Sequence, residues 1–190
     1  MNAVEPIRDK KKIEAIKRIL KSENIRNYLL FTLGINTGLR ISDLLQLKVE
    51  DVVDEKGEIR EFLSIREKKT GKEKKFVLNK VARNAIEEFM QDNQGVFPGQ
   101  YLFASRKGKN QPITRIQAWE ILNKAKRKLG IQERIGTHTL RKTFGYHAYK
   151  QGIDITLLQK IFNHSAPSIT LRYIGITQDN IDEVYNTLNL

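Results

Sequence analysis

Apolar residues recur every three to four positions at the start of the chain, at Ile13, Ile16, Ile19 and Leu20. That spacing paints one face of a helix. Asp9 precedes the stripe and can accept a hydrogen bond from the first turn, so a helix capped by Asp9 is predicted through about residue 23. From residue 24 to about 37 the apolar residues crowd together (Leu29, Leu30, Phe31, Leu33, Ile35), which predicts a second, central helix. Gly38 suits the left-handed turn that would end it. Residues 42–47 read as a short helix.

Between Val49 and Leu78 the period shortens. Residues 58–65 and 75–78 read as strands joined by a polar turn at Thr70-Gly71, giving a hairpin or three-stranded antiparallel sheet too small to be a core by itself. Helical spacing returns at about 80–91, 115–129, 137–150, 154–162 and 180–188. No repeat, low-complexity stretch or long linker interrupts the pattern. The expected fold class is therefore α+β, mainly α: one helical domain over residues 1–190 carrying a small antiparallel sheet.

Charge changes the picture. Thirty-four Lys and Arg face 22 Asp and Glu, a formal charge of +12, and a chain that repels itself this way suits a polyanionic partner. Nucleic acid fits best, while a membrane surface or the ribosome would match the charge alone. The absence of cysteine excludes disulfides, thiolate metal sites and a cysteine nucleophile. The opening residues lack the apolar core of a signal peptide, and no apolar run reaches the roughly 20 residues of a membrane span. A cytoplasmic protein without a membrane partner is expected.

Four segments gather residue types that handle phosphate. Arg40 stands where the glycine turn enters a helix, with Asp43 placed to orient its guanidinium; an ordinary helix-start ion pair is the bland alternative. Residues 66–75 hold six basic side chains against Glu67 and Glu73 at a hairpin tip, where a lysine could reach a groove or a leaving oxygen, or the charges could merely blunt a sheet edge. His138 and Arg141 share one helix face, in a first turn that Thr137 would cap, where anions are favoured. Arginine beside histidine disfavours the imidazolium, which suits His138 to accept a proton. His164 follows a helix end at Asn163, and Tyr173 comes nine residues later. His147 has no evident partner and reads as structural, and spacing alone does not single out Tyr173 among six tyrosines. Two arginines, a lysine, two histidines and a tyrosine, without clustered carboxylates, would suit metal-free phosphoryl transfer, in which fixed donors meet the charge that a metal ion otherwise meets.

In these residues the chain resembles the tyrosine recombinase, or phage integrase, family. Residues 37–44 (TGLRISDL) are similar to its first arginine box, Lys69-Thr70-Gly71 to its hairpin lysine, and His138-Thr139-Leu140-Arg141 to its H-x-x-R motif. His164 corresponds to its later His/Trp position and Tyr173 to its nucleophile, with the likeness running from about Ile7 to the C-terminus.

The resemblance implies a catalytic domain of the DNA breaking-rejoining fold. It implies that Tyr173 attacks the scissile phosphate to form a 3′-phosphotyrosine, that Arg40 and Arg141 bind its non-bridging oxygens, and that Lys69 protonates the leaving oxygen. His138 would exchange protons, His164 would hydrogen-bond the phosphate, and Asp43 would support Arg40. Arg66, Lys68, Lys72, Lys74 and Arg115 would contact DNA. No cofactor or metal is implied. The implied partners are double-stranded DNA, further copies of the chain (a tetramer on DNA), and an accessory core-binding domain or protein, because the helical core-binding domain of the family has no room here. A DNA-binding relative without catalysis, a basic RNA- or ribosome-binding protein, and a metal-dependent nuclease using Asp51, Asp54 and Glu55 are the competing readings, the last opposed by carboxylates that lack a further partner at a recognisable spacing.

Overall fold

In the computed structural model of the protein, residues 4–66, 71, 73–176, 186 and 187 are described. Helix α1, Lys10–Glu23, starts where Asp9 accepts a hydrogen bond from the Lys11 N–H, and its stripe buries Ile13, Ile16 and Leu20. Helix α2, Ile25–Thr37, is capped by Asn24 and nearly submerged, with Leu29, Leu30, Phe31 and Leu33 all inaccessible to water. It ends on Gly38 at φ +63°, the left-handed turn expected from sequence. Two one-turn helices come next: α3 (Ile41–Leu44), which overlaps the helix predicted over 42–47, and α4 (Val49–Val52), which the sequence reading does not contain.

The sheet has two strands, β1 (Phe62–Arg66) and β2 (Glu73–Val77), antiparallel with Leu63 opposite Phe76. The first strand starts later than residue 58, because Glu58–Glu61 turns the chain and contributes only the isolated Val53–Ile59 bridge. Helices α5 (Lys80–Asp92), α6 (Arg115–Lys128), α7 (Thr137–Lys150), α8 (Ile155–Phe162) and α9 (Pro167–Ile174) complete the described elements. Helix α2 packs against α1, α5 and α7, and so organises the main core. A smaller cluster of Phe162, Ile174 and Ile176, with Phe144, Tyr146, Tyr149 and Leu171 packed against it, joins α7 to α8 and α9.

Two local features hold α7 and its neighbours in place. Residues 4–8 run along α7: the Ile7 N–H donates to Thr143 Oγ1 (2.9 Å), His147 Nε2 lies 2.9 Å from the Ile7 carbonyl, and Arg8 Nη2 donates to the Gly175 carbonyl (3.0 Å). His147 is thus structural, as expected, and its partner is this segment. In addition, Gly145 lets α8 and α9 close onto α7. A Cβ there would lie 2.6 Å from the Phe162 ring and 2.7 Å from Ile174 Cγ2. Ala improves helix propensity by about 1 kcal/mol, but overpacking a filled core costs about 1–3 kcal/mol. Both neighbours are buried and cannot swing into solvent, so Gly145→Ala is expected to destabilise the protein, read as a lower urea midpoint at unchanged slope.

Among the described residues no helix is long and apolar enough to cross a membrane. Among them, too, no group of three His, Cys, Asp or Glu side chains stands ready to hold a metal ion.

Candidate active site

Arg141 is the structural centre of the site. It sits on the second turn of α7, only 5% exposed, and a charge so buried needs fixed polar partners. Its guanidinium donates to the Gly38 carbonyl and to the Phe162 carbonyl (3.0 Å), with its carbon 4.5 Å from the Phe162 ring centroid. These contacts fix the plane of the guanidinium and tie three segments together: the turn after α2, the start of α7 and the end of α8. The cap of α7 lies one residue earlier than its sequence suggested. Gly136 occupies it in extended conformation, Thr137 is the first helical residue, and the Gly136 N–H donates to Thr139 Oγ1 (3.0 Å).

Gly38 explains how Arg40 is delivered. Its left-handed backbone turns the chain, and a Cβ there would lie 2.5 Å from the Phe144 ring. Two residues on, Arg40 caps α3 in extended conformation, half-buried, near enough for its charge to act on both His164 and Tyr173. Asp43 lies one turn into α3, 6% exposed, its N–H bonded to the Arg40 carbonyl (2.9 Å) and Ser42 Oγ 3.5 Å from its carboxylate.

His164 enters through a left-handed residue, Asn163 at φ +56°, which ends α8 and reverses the chain. Asparagine tolerates this conformation better than most residues. The Thr170 hydroxyl lies 3.0 Å from His164 Nδ1, which commits that nitrogen and leaves Nε2 for other chemistry. Pro167 starts α9 at a position where its missing N–H costs nothing, and Gly175 at φ +80° closes the helix just beyond Tyr173. The Tyr173 ring is gripped edge-on by Phe162 (5.5 Å) and His164 (5.1 Å), and its hydroxyl lies 3.5 Å from His138 Nδ1. That is the outer limit of a hydrogen bond.

The electrostatics set a protonated phenol beside neutral imidazoles. Burial pushes the Tyr173 phenol above its ordinary pKa, while Arg141 and Arg40 pull against that rise, so the hydroxyl keeps its proton at neutral pH. His138 is held below the ordinary imidazole pKa by desolvation first, then by the charges of Arg115, Lys142 and Arg141. Desolvation, with Arg141 and Arg40, does the same to His164. Both imidazoles are therefore neutral near pH 7 and can accept a proton, beside two guanidinium groups that can hold an anion.

Five of the six residues expected to be catalytic thus converge: Arg40, His138, Arg141, His164 and Tyr173. Lys69 lies outside the described residues, as do Lys68, Lys72 and all of the expected 180–188 helix except residues 186 and 187. Of the expected DNA contacts, Arg115 is exposed at the start of α6 with its charge felt at His138, and Arg66 is exposed opposite Glu73 at the end of the ladder. Lys74 is committed inward, donating to the Ile161 carbonyl (3.1 Å) and pinning β2 to the helix that leads to His164. Sequence reasoning missed helix α9, the Phe162 ring that touches Arg141, His164 and Tyr173, and Lys142, 8% exposed with its ammonium 5.3 Å from the Tyr173 ring centroid.

Residues 8–179 match the model of the Phage integrase family. The chain is 45% identical over 185 residues to the Probable integrase/recombinase YoeC of Bacillus subtilis, covering 97% of each. It is 31% identical over 179 residues to the tyrosine recombinase XerA of Pyrococcus furiosus, covering 94% of this chain and 60% of that protein. Among solved structures, the XerA recombinase superposes with a TM-score of 0.77 at 19% identity, over 100% of this chain and 66% of that one. The XerH site-specific recombinase, in a post-cleavage complex with its difH substrate, superposes with a TM-score of 0.73 at 20% identity, over 98% of this chain and 53% of that one. At these identities the structural likeness establishes a common fold.

Proposed function

The chain belongs to the phage integrase family, and from that premise we propose that it carries the cleaving and rejoining machinery of a site-specific tyrosine recombinase acting on double-stranded DNA. The Tyr173 oxygen attacks the scissile phosphorus as its proton passes to His138. The P–O bond to the 5′ oxygen breaks, leaving a 3′-phosphotyrosine and, once that oxygen is protonated, a 5′-hydroxyl. Arg40 and Arg141 meet the charge that grows on the non-bridging oxygens, and His164 adds a hydrogen bond through Nε2. Lys69, assigned from the family resemblance, supplies the leaving-group proton. Attack by a 5′-hydroxyl from a partner strand reverses the steps and restores the backbone without an energy-rich cofactor. The observation supporting this reading is that the Tyr173 hydroxyl lies 3.5 Å from a neutral His138 and within the field of two arginines.

DNA is the proposed partner, held as further copies assemble on a full recombination site. With several phosphates neutralised by a chain of charge +12, log affinity is expected to fall against log salt by about 0.9 per phosphate contact. Incubating the protein with a nicked suicide substrate bearing its cognate site tests the function. A covalent protein–DNA band that persists in EDTA is expected, and a requirement for Mg²⁺ would overturn the proposed chemistry.

A further inference from the structure

Lys142 is the residue after Arg141 and lies four residues beyond His138, on the same face of α7. It is 8% exposed, and burying an ammonium is costly unless something offsets the lost water. Two groups do so here. One is the Tyr173 ring, whose centroid lies 5.3 Å from Nζ, within cation–π reach. The other is Glu5, on the segment that runs along α7, whose negative charge opposes the desolvation that lowers the Lys142 pKa. The ring of the nucleophile is therefore contacted by Phe162 and His164 from one helix end and by a cation from α7. Phosphate binding and proton transfer leave this cation unused.

We propose that Lys142 is a positioning residue for the nucleophile, its buried ammonium holding the Tyr173 ring so that the hydroxyl stays within reach of His138. The inference rests on Tyr173 being the nucleophile. The same ammonium also bears on His138. The charged groups acting on that imidazole are Arg115 from α6 and Lys142 and Arg141 from α7, with the Tyr173 hydroxyl facing it from α9. Removing one positive charge makes His138 easier to protonate, so its titration midpoint rises. Where neutral His138 is the proton acceptor, the acid limb of the cleavage profile moves to higher pH with it.

Lys142→Met and Lys142→Gln remove the charge, and Lys142→Arg keeps it. The chain has three histidines, so the imidazole C–H resonances of His138, His147 and His164 can be followed separately by NMR across pH, and the same spectra report folding. The neutral variants are expected to raise the His138 midpoint, leave that of His147 in place, and slow single-turnover cleavage of the nicked substrate on the order of 10-fold at unchanged DNA affinity. Lys142→Arg should recover most of both effects. Wild-type cleavage in a folded neutral variant would overturn the proposal, as would a loss of cleavage that Lys142→Arg does not recover. Failure of the underlying reading looks different: Tyr173→Phe would then still capture DNA covalently.

Discussion

Tyr173→Phe is expected to abolish covalent capture of DNA while leaving the fold and DNA affinity intact. The substitution removes one oxygen. The ring keeps its edge contacts with Phe162 and His164 and its cation at Lys142. The lost hydroxyl interacts with Arg141 and lies 3.5 Å from His138, and neither interaction carries the packing of the apolar core. Removing the nucleophile from an enzyme with covalent catalysis costs on the order of 10⁶-fold in rate, which here means no band on a denaturing gel. A mobility-shift titration should overlay the wild type. If the Phe variant still forms an adduct, the nucleophile lies elsewhere, with Tyr149 or Tyr185 next to be tested.

Arg141→Ala should cost both rate and stability, whereas Arg40→Ala should cost chiefly rate. Each is expected to slow cleavage on the order of 10²-fold or more, as loss of a fixed donor to a developing oxyanion does. The difference lies in what each guanidinium holds. Arg141 is buried and satisfies the carbonyls of Gly38 and Phe162, and a buried carbonyl left dry costs about 1–3 kcal/mol. Arg40 is half-buried on a turn whose shape is set by Gly38. Lys cannot copy the flat fork of Arg141, so Arg141→Lys should keep the charge yet lose most of the activity. Urea titrations beside single-turnover cleavage separate the two effects. Equal stability for Arg141→Ala and wild type would contradict the structural role assigned to Arg141.

Much of this arrangement is legible in the chain. The stripes of α1 and α2, the Asp9 and Asn24 ends and the glycine turn at Gly38 come from local spacing and capping chemistry, which act over a few residues. Spacing places α7 at about 137–150, where it lies, although its cap is Gly136 rather than Thr137. Helix α9 escapes such reading because Ile169 and Leu171 alternate with Ser168, Thr170 and Arg172, which imitates the period of a strand. Its termini are nonetheless written in Pro167 and Gly175. The first strand reads as starting too early because alternation over 58–61 belongs to a turn and one isolated bridge.

The site divides the same way. Arg40, His138 and Arg141 can be nominated from residue type and helix position. Tyr173 cannot be told from five other tyrosines without the family resemblance. Phe162 reads as ordinary core, and nothing local marks its ring as the surface against which Arg141, His164 and Tyr173 are arranged. Lys142 reads as one more lysine in a basic chain. Its burial beside the Tyr173 ring arises from the packing of distant segments onto α7, among them the one that brings Glu5 to it, and no window on the sequence contains that contact.

The central claim is that Tyr173 joins covalently to the 3′ side of a broken strand, without a metal ion. The most direct test is to trap the wild-type protein on a nicked suicide substrate in EDTA, digest the adduct, and map the nucleotide-bearing peptide by mass spectrometry. The account predicts one modified peptide, carrying a 3′-linked phosphodiester on Tyr173, and a released strand with a free 5′-hydroxyl. A nucleotide on any other side chain, or a strand left with a 5′-phosphate, would contradict it.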